Sequence, residues 1–325
     1  MRAVEFQEYG GPEVLRIVQT STPEPGPGQV TIEAVWAGVN FADVKARAEG
    51  YRVASLPYRP GLEVSGHIRA VGEGVAGVRA GQEVAALVDG GGYAEVVLAE
   101  AARVFPLPDG LDLRTAATLP TVLPTAHALV HEVGRLRAGE SVLVHGAAGG
   151  IGTAVGQLAR AAGAGAVYGV ASSDAKADYA LKHGYDEVFR PGTFETDVRR
   201  ATGGRGVDLV LDPVGGETLR RGLEALAVFG RLVSFGNAGG AEPWRAGQGE
   251  LYARGRSVGG FSVLALAQSA PDALRALTER ALRTVCDGAV ALPVTAEFPL
   301  LDAAGAHQLI GGRTSMGKLL LRIAD

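Results

Sequence analysis

The feature that most constrains the fold is a regular alternation of short apolar runs and helix-like segments between residues 141 and 264. Apolar strands that alternate strictly with helices are typical of a parallel sheet covered by helices on both faces. Six such strands joined by right-handed crossovers fit the doubly wound Rossmann arrangement of α/β proteins. The predicted strands cover 141–147, 166–172, 187–191, 206–215, 230–237 and 257–264.

The turn after the first of these strands reads HGAAGGIGTAVGQ over residues 145–157. The usual dinucleotide fingerprint is G-x-G-x-x-G, and Ala147 stands at its first glycine. The turn nevertheless follows a strand and opens a helix, where backbone N–H groups and the positive helix end favour a pyrophosphate. We predict a dinucleotide site here, and a turn shaped only by packing is the alternative. The predicted pyrophosphate residues are Ala148, Gly149, Gly150 and Ile151.

The end of the second predicted strand, GVASSDAKADY, bears on the choice of dinucleotide. NAD-binding proteins usually have an Asp or Glu about 20 residues after the glycine turn, where it holds the ribose 2′-OH. Ser172 and Ser173 stand at that place, and Lys176 follows within one helical turn. Hydroxyls and a cation suit a 2′-phosphate, which favours NADP(H) over NAD(H). Asp174 argues against this choice unless its role is to cap the next helix. For Lys176, the alternative is a solvated lysine on the helix surface.

The two ends of the chain have a different pattern from the centre. The first ~120 residues contain short apolar runs punctuated by Gly and Pro, which is typical of a small β-barrel or sandwich. The last ~60 residues contain an amphipathic helix over 271–288 and then a strand, a helix and a strand. They are few for a third domain. We therefore expect residues 1–124 and 264–325 to form one discontinuous domain and 125–263 to form the cofactor domain.

The composition argues against several other kinds of protein. The formal net charge is −4, so no global basic field draws the chain to nucleic acid or anionic lipid. Cys286 is the only cysteine, which excludes an internal disulfide and a cysteine-rich metal site. The opening MRAVEFQEYG lacks the apolar core of a signal peptide, and no run of about 18 apolar residues predicts a membrane span. We expect a cytoplasmic protein with no membrane segment and no nucleic-acid partner.

Residues 139–160, GESVLVHGAAGGIGTAVGQLAR, resemble the signature of a known family. This is the zinc-independent quinone oxidoreductase/zeta-crystallin family of the medium-chain dehydrogenase/reductase superfamily. The segments FQEYGGPEVL, AGVNFADVKARAEGY, RPGLEVSGHIRAVGEGV, DLVLDPVGG, GRLVSFGNAGG and GGRTSMGKLLL are similar to other parts of its members. The resemblance implies a GroES-like β-barrel catalytic domain wrapped around a Rossmann domain, with the active site in the cleft. It also implies NADPH as cofactor and a quinone as substrate.

The zinc enzymes of this superfamily have metal ligands at positions that this chain fills differently. Asn40 stands at the first catalytic cysteine, and Leu62 stands at the histidine before Glu63. Zinc needs thiolate, imidazole or carboxylate ligands in a nearly closed set, so we expect no metal. Without a Lewis acid a plain ketone is hard to reduce, whereas a quinone or conjugated carbonyl delocalises the incoming charge and hydrogen bonds suffice. The chemistry therefore also points to hydride transfer from NADPH to a conjugated acceptor.

The resemblance implies roles for individual residues. Asn40 and Tyr51 are the predicted catalytic residues. Asn40 can donate an amide hydrogen bond to substrate or nicotinamide, and the alternative is an Asn that bonds its own turn. Tyr51 resembles a tyrosine of the quinone pocket that can donate a proton or stack on a ring, and an interfacial aromatic is the alternative. The other implied cofactor contacts are Thr125, Gly236, Asn237, Lys318, Arg313 as a second 2′-phosphate ligand, and Arg190 as a substitute for a family tyrosine.

The sequence leaves two alternative functions open and also bears on the assembly state. An NADPH-dependent 2-alkenal or enoyl double-bond reductase of the same superfamily is the main alternative, since its hydride chemistry is the same. Some zeta-crystallin relatives are structural lens proteins or bind RNA, and the net charge of −4 and few aromatic residues argue against that here. The sixth predicted strand would be an apolar edge of the cofactor sheet. Such an edge favours pairing with its copy, which predicts a homodimer.

Overall fold

A computed structural model of the chain describes residues 1–240 and 245–324. Contacts divide the chain into two units. The first unit consists of Met1–Thr121, Leu264–Cys286 and Leu292–Asp325, and the second consists of Val122–Val263 and Asp287–Ala291. We propose that these two units are two domains. The first boundary lies after Thr121 instead of after residue 124, and residues 287–291 belong to the second unit.

The strands and helices are numbered separately along the chain. The strands are β1 (Arg2–Glu5), β2 (Arg16–Gln19), β3 (Gln29–Val39), β4 (Glu63–Val71), β5 (Glu83–Leu87), β6 (Val96–Glu100), β7 (Val104–Pro106), β8 (Ser141–His145), β9 (Ala166–Val170), β10 (Glu187–Phe189), β11 (Val207–Asp212), β12 (Leu226–Ser234), β13 (Ser257–Gly260), β14 (Val294–Pro299) and β15 (Lys318–Arg322). The helices are α1 (Phe41–Glu49), α2 (Leu113–Ala116), α3 (Val122–His127), α4 (Gly150–Ala161), α5 (Asp174–Leu181), α6 (Phe194–Ala201), α7 (Gly216–Ala225), α8 (Gln248–Tyr252), α9 (Val263–Ser269), α10 (Pro271–Cys286) and α11 (Ala303–Gly311).

The second unit contains a six-stranded sheet in the order β10-β9-β8-β11-β12-β13. All of its strand pairs are parallel. This order is that of the Rossmann fold, and it confirms the predicted fold class. The strand order reverses between β8 and β11, and ligands of such sheets bind outside the carboxyl ends of the strands at this point. The fold therefore directs attention to the turns that follow β8, β9, β11 and β12.

All six predicted strands of this sheet run two to four residues past their observed ends, and the fifth strand begins four residues earlier than predicted, at Leu226. The fourth ends at Asp212 because Pro213 has no N–H to donate to a sheet ladder. The sixth ends at Gly260, and the apolar residues that follow begin α9 at Val263. A short apolar run is compatible with a buried strand or a buried helix, so the sequence pattern did not separate the two.

The first unit contains a mostly antiparallel sheet in the order β14-β15-β3-β4-β5-β7, with β6 also paired to β3. The long strand β3 is its centre, and fully buried Ile32 and Ile68 come from β3 and β4. The last strand, β15, pairs antiparallel with β3. The C-terminal segment therefore extends the sheet built by the first third of the chain. None of the helices in the described residues is long and apolar enough to cross a lipid bilayer.

Candidate active site

The glycine turn between β8 and α4 accommodates the alanine that interrupts the fingerprint. The turn's left-handed residue is Gly146, with φ +69°, one position before Ala147. Ala147 is buried and does not adopt a positive φ. A methyl side chain is therefore compatible with the turn at this position.

Two glycines of this turn differ in whether their surroundings leave room for a side chain. A Cβ atom on Gly152 would lie 2.3 Å from the carbonyl oxygen of Gly146, so internal packing excludes any side chain there. A Cβ atom on Gly149 would meet only that same oxygen, at 3.4 Å, which is an ordinary contact. Packing inside the protein does not demand a glycine at position 149. Close approach of a ligand to the backbone is a reason for one.

Gly149 is also the N-cap residue of α4, with extended dihedral angles (φ −79°, ψ 174°). Its own N–H donates to the carbonyl of Gly146 at 3.0 Å. The N–H groups of Gly150 and Ile151 open the helix, where the first turn has no intrahelical acceptors and the helix dipole attracts an anion. Ala148 precedes them and is buried. The geometry of the turn suits a phosphate group.

The carboxyl ends of the neighbouring strands β9 and β10 place hydroxyls and cations at one sheet edge. Ser172 and Ser173 are exposed there. Ser173 caps α5, because its side chain accepts the N–H of Lys176 at 3.4 Å. The interpretation of Asp174 as the cap is therefore wrong. Its carboxylate instead forms an ion pair with Arg190, the first residue after β10.

The remaining predicted cofactor residues of the second unit lie in two places. Gly236 and Asn237 follow β12 and are exposed. A Cβ atom on Gly215, at the start of α7, would lie 2.7 Å from Asn237 Oδ1, so the Asn237 side chain covers that glycine. A Cβ atom on Gly236 would lie 2.9 Å from the carbonyl oxygen of Pro213, so packing accounts for this glycine. Thr125 is buried within α3.

In the first unit, Asn40 lies at the start of α1, where its backbone and both ends of its side-chain amide form hydrogen bonds. The backbone N–H of Asn40 donates to Asp43 Oδ2 at 2.9 Å, in the spacing of a capping box. Its side-chain Nδ2 donates to Glu63 Oε1 at 2.8 Å. Its side-chain Oδ1 accepts from Lys318 Nζ at 2.9 Å and lies 3.0 Å from Thr121 Oγ1. Asn40 therefore bonds a buried polar cluster as well as its own turn.

Lys318 and Glu63 form the charged centre of this cluster. Their Nζ and Oε1 atoms are 2.5 Å apart, and their side chains are 3% and 0% exposed. Thr121 donates to Glu63 Oε2 from its backbone N–H at 2.8 Å and from its hydroxyl at 2.7 Å. Lys318 Nζ also donates to the carbonyl of Val39 at 3.3 Å. Each charge is paired and hydrogen-bonded, as buried charges require.

The place of Lys318 bears on its predicted role. The resemblance implies a cofactor contact, yet the three ammonium protons already have protein acceptors on Glu63, Asn40 and Val39. A cofactor phosphate would have to compete with a buried carboxylate for them. Lys318 Nζ donates to Asn40 and Glu63 in this structure, and its contact with a cofactor stays a prediction. Arg313, the other basic residue predicted from this segment, lies exposed between α11 and β15 with φ +55°.

Behind Asn40 the cluster extends to groups that the sequence analysis missed. Tyr93 OH donates to Asp43 Oδ2 at 3.2 Å and lies 3.3 Å from His307 Nε2. Burial raises the pKa of Asp43 to about 7, although N–H donors from Asn40 and Gly61 oppose this. Burial lowers the pKa of His307 to about 3, so the imidazole is neutral at physiological pH. The three-residue spacing of Asn40 and Asp43 was the one sequence signal for this arrangement.

Tyr51 lies in the turn after α1, and the residue is 41% exposed. It lines a narrow crevice together with Asp43, Tyr58 and Leu62. Leu62, which the resemblance places at the second zinc-ligand position, also lines this crevice, and its side chain carries no metal-ligating atom. In the described part of the chain, no group of three or more His, Cys, Asp or Glu residues is arranged to hold a metal ion.

Comparison with known proteins identifies the family. Residues 26–109 match the family model described as the alcohol dehydrogenase GroES-like domain, and 150–279 match that of the zinc-binding dehydrogenases. A quinone oxidoreductase of Rattus norvegicus is 34% identical over 99% of this chain and 97% of its own length. One from Pseudomonas aeruginosa is 32% identical over 98% of this chain and 99% of its own. The chain belongs to the quinone oxidoreductase family.

Solved structures of this medium-chain dehydrogenase/reductase family agree with the fold. Escherichia coli quinone oxidoreductase complexed with NADPH matches with a TM-score of 0.92 and 30% identity, over 99% of this chain and 100% of that one. A mycobacterial protein complexed with NADPH matches with a TM-score of 0.92 and 32% identity, over the same shares. The GroES-like and Rossmann parts of the predicted fold are confirmed. The protein is an oxidoreductase of this superfamily.

Proposed function

We propose that the protein is an NADPH-dependent quinone oxidoreductase that works without zinc. The observation that carries the proposal is the Asn40 amide, which stands at a zinc-ligand position and is bonded to the Lys318 ammonium at 2.9 Å. A fixed ammonium beside this position repels a metal cation, and Leu62 offers it no ligand atom. Relatives named quinone oxidoreductases support the substrate class. NADPH complexes of two similar structures support the cofactor.

The cofactor contacts follow from the second unit. The N–H groups of Gly150 and Ile151 would bind the pyrophosphate, with Gly149 leaving room for its approach. Ser172, Ser173 and Lys176 would hold the 2′-phosphate, and Arg190, which is ion-paired with Asp174, lies at the same sheet edge. Bound NADPH supplies the hydride. The other proposed cofactor contacts are Thr125, Gly236, Asn237 and Arg313.

The substrate contacts follow from the first unit. A quinone oxygen gains negative charge as the ring accepts a hydride, and an N–H donor stabilises that charge best in a site that excludes water. Asn40 Nδ2 is the proposed donor. Tyr51 has an exposed phenol at the crevice, so it can stack on a ring or deliver a proton to the reduced oxygen.

A substrate panel tests the assignment. NADPH oxidation is followed with 1,4-benzoquinone, 9,10-phenanthrenequinone and a series of 2-alkenals. We expect turnover of the quinones with NADPH and weaker turnover with NADH. Turnover of alkenals with no oxidation by any quinone would overturn the quinone assignment in favour of a double-bond reductase.

We further propose that the protein is a cytoplasmic homodimer. The edge strand β13 at the end of the parallel sheet is only partly buried, so it can pair with a second copy. Light scattering at micromolar concentration should give twice the mass of one chain. A monomer mass would contradict this part of the proposal.

A further inference from the structure

We propose that Lys318 and Glu63 are positioning residues that lock the Asn40 side-chain amide in one orientation. In that orientation the amide offers the substrate an N–H donor and never an acceptor. The inference rests on the proposed function, in which Asn40 contacts the hydride acceptor. It also gives a physical reason for the buried Lys318–Glu63 ion pair beside Asn40.

The orientation of an amide is decided by its neighbours, because the oxygen and nitrogen ends have nearly the same shape. A lysine ammonium can only donate hydrogen bonds, and a carboxylate can only accept them. Asn40 Oδ1 faces Lys318 at 2.9 Å, and Asn40 Nδ2 faces Glu63 at 2.8 Å. If the amide flipped, its Nδ2 would face the Lys318 ammonium, donor against donor. Its Oδ1 would face the Glu63 carboxylate, acceptor against acceptor.

The two charges are themselves held in place. Thr121 binds the second oxygen of Glu63 through its backbone N–H and its hydroxyl, at 2.8 and 2.7 Å. Lys318 begins β15, which is paired to β3, and its Nζ also reaches the carbonyl of Val39. Both side chains are almost completely buried, so water does not screen their effect on the amide. Neither charge can turn away and release Asn40.

This arrangement also strengthens the donor. Glu63 takes one of the two Nδ2 protons, which leaves the other for a ligand. The Lys318 ammonium on Oδ1 polarises the amide, and hydrogen bonds in such a chain reinforce one another. The amide is thereby matched to an oxygen that becomes more negative during the reaction, as a quinone or enone oxygen does on hydride transfer. A ligand group that can only donate finds no acceptor on Asn40.

The test removes both charges together. Lys318→Met with Glu63→Gln leaves no unpaired buried charge, so the fold is preserved better than in either single variant. We expect kcat with quinones to fall about tenfold or more, because a donor that is no longer oriented contributes less to the transition state. The dissociation constant for NADPH, measured by fluorescence titration, should stay within about twofold of wild type.

A series of benzoquinones distinguishes positioning from a general loss of structure. The loss in kcat should grow as the quinone becomes a weaker hydride acceptor, because more charge then resides on its oxygen when the hydride transfers. A loosened fold would reduce the rate for every quinone by the same factor. A double variant that keeps the wild-type kcat across the series would overturn the inference.

A matched control and a second variant complete the test. Arg221→Met with Glu195→Gln removes a half-buried ion pair of the second unit, and it should lower the melting temperature without changing kcat. Thr121→Val removes the hydroxyl that donates to Glu63 and lies against Asn40 Oδ1, and it keeps both charges. It should give the same trend across the quinones with a smaller loss. If the double variant does not fold, an unchanged quinone series in Thr121→Val would overturn the inference.

The result for the wild-type protein separates this inference from the proposed function. Absence of quinone turnover would contradict the function, and the same variants would then be compared on the best 2-alkenal substrate. Normal wild-type turnover together with unchanged variants would contradict only the positioning role.

Discussion

The cofactor turn of the second unit and the polar cluster of the first unit are built in opposite ways. The turn uses backbone groups of consecutive residues, from Gly146 to Ile151. The cluster uses side chains of Asn40, Glu63, Thr121 and Lys318, which come from distant parts of the chain. A backbone site tolerates substitutions that leave its φ, ψ and space unchanged. A buried charged cluster depends on every partner, because each one satisfies another.

We expect the largest effect when one charge of the cluster is removed. Lys318→Met leaves the Glu63 carboxylate buried without its cation, which costs about 3–5 kcal/mol of the free energy of unfolding. The double variant with Glu63→Gln should recover most of that loss. Urea denaturation of wild type, the single variant and the double variant measures both values. Equal stability of the single and double variants would show that the two charges are not coupled.

The turn is tested by its two glycines. Gly152→Ala forces a methyl group against the carbonyl of Gly146 and should cost about 1–3 kcal/mol of stability. Gly149→Ala fits the backbone, since its φ is −79°, and should leave the melting temperature nearly unchanged. It should nevertheless weaken NADPH binding about tenfold, which corresponds to about 1.4 kcal/mol. Wild-type affinity of Gly149→Ala for NADPH would show that a ligand does not approach the backbone there.

These two regions also differ in how far the sequence predicts them. The turn, its flanking strand and its helix lie within one short segment, so periodicity and glycine spacing located all of them. Asn40 was found through a family resemblance, but the partners that orient it were not. No local pattern links position 40 to Thr121, and the family resemblance assigned Lys318 to the cofactor rather than to Asn40. Only the pairing of β15 with β3 reveals Lys318 as a partner of Asn40.

A smaller effect concerns the buried groups behind Asn40. The pKa of Asp43 is raised to about 7, so folding binds a proton between about pH 4 and 7 and stability falls as pH rises through that window. The pKa of His307 is lowered to about 3, so the unfolded chain binds the extra proton and stability rises with pH between about 3 and 6.5. The two trends oppose each other over the shared range.

Asp43→Asn removes one of these trends and leaves the other. Between pH 4 and 6.5 the free energy of unfolding of this variant should therefore rise more steeply with pH than that of the wild type. The difference in slope is at most roughly 1.4 kcal/mol per pH unit for one proton. Chemical denaturation at several pH values measures it. Parallel curves for the two proteins would show that Asp43 is already ionised in the folded state at low pH.

The central claim is that an amide, held by a buried ion pair, does the work that zinc does in other members of the superfamily. Its most direct test is the kcat for 1,4-benzoquinone with NADPH, measured after exhaustive dialysis against a zinc chelator and after addition of zinc. Metal analysis of the same samples accompanies the assay. The account predicts full turnover at a negligible zinc content and no increase when zinc is added. Loss of turnover on dialysis, restored by one equivalent of zinc, would contradict it.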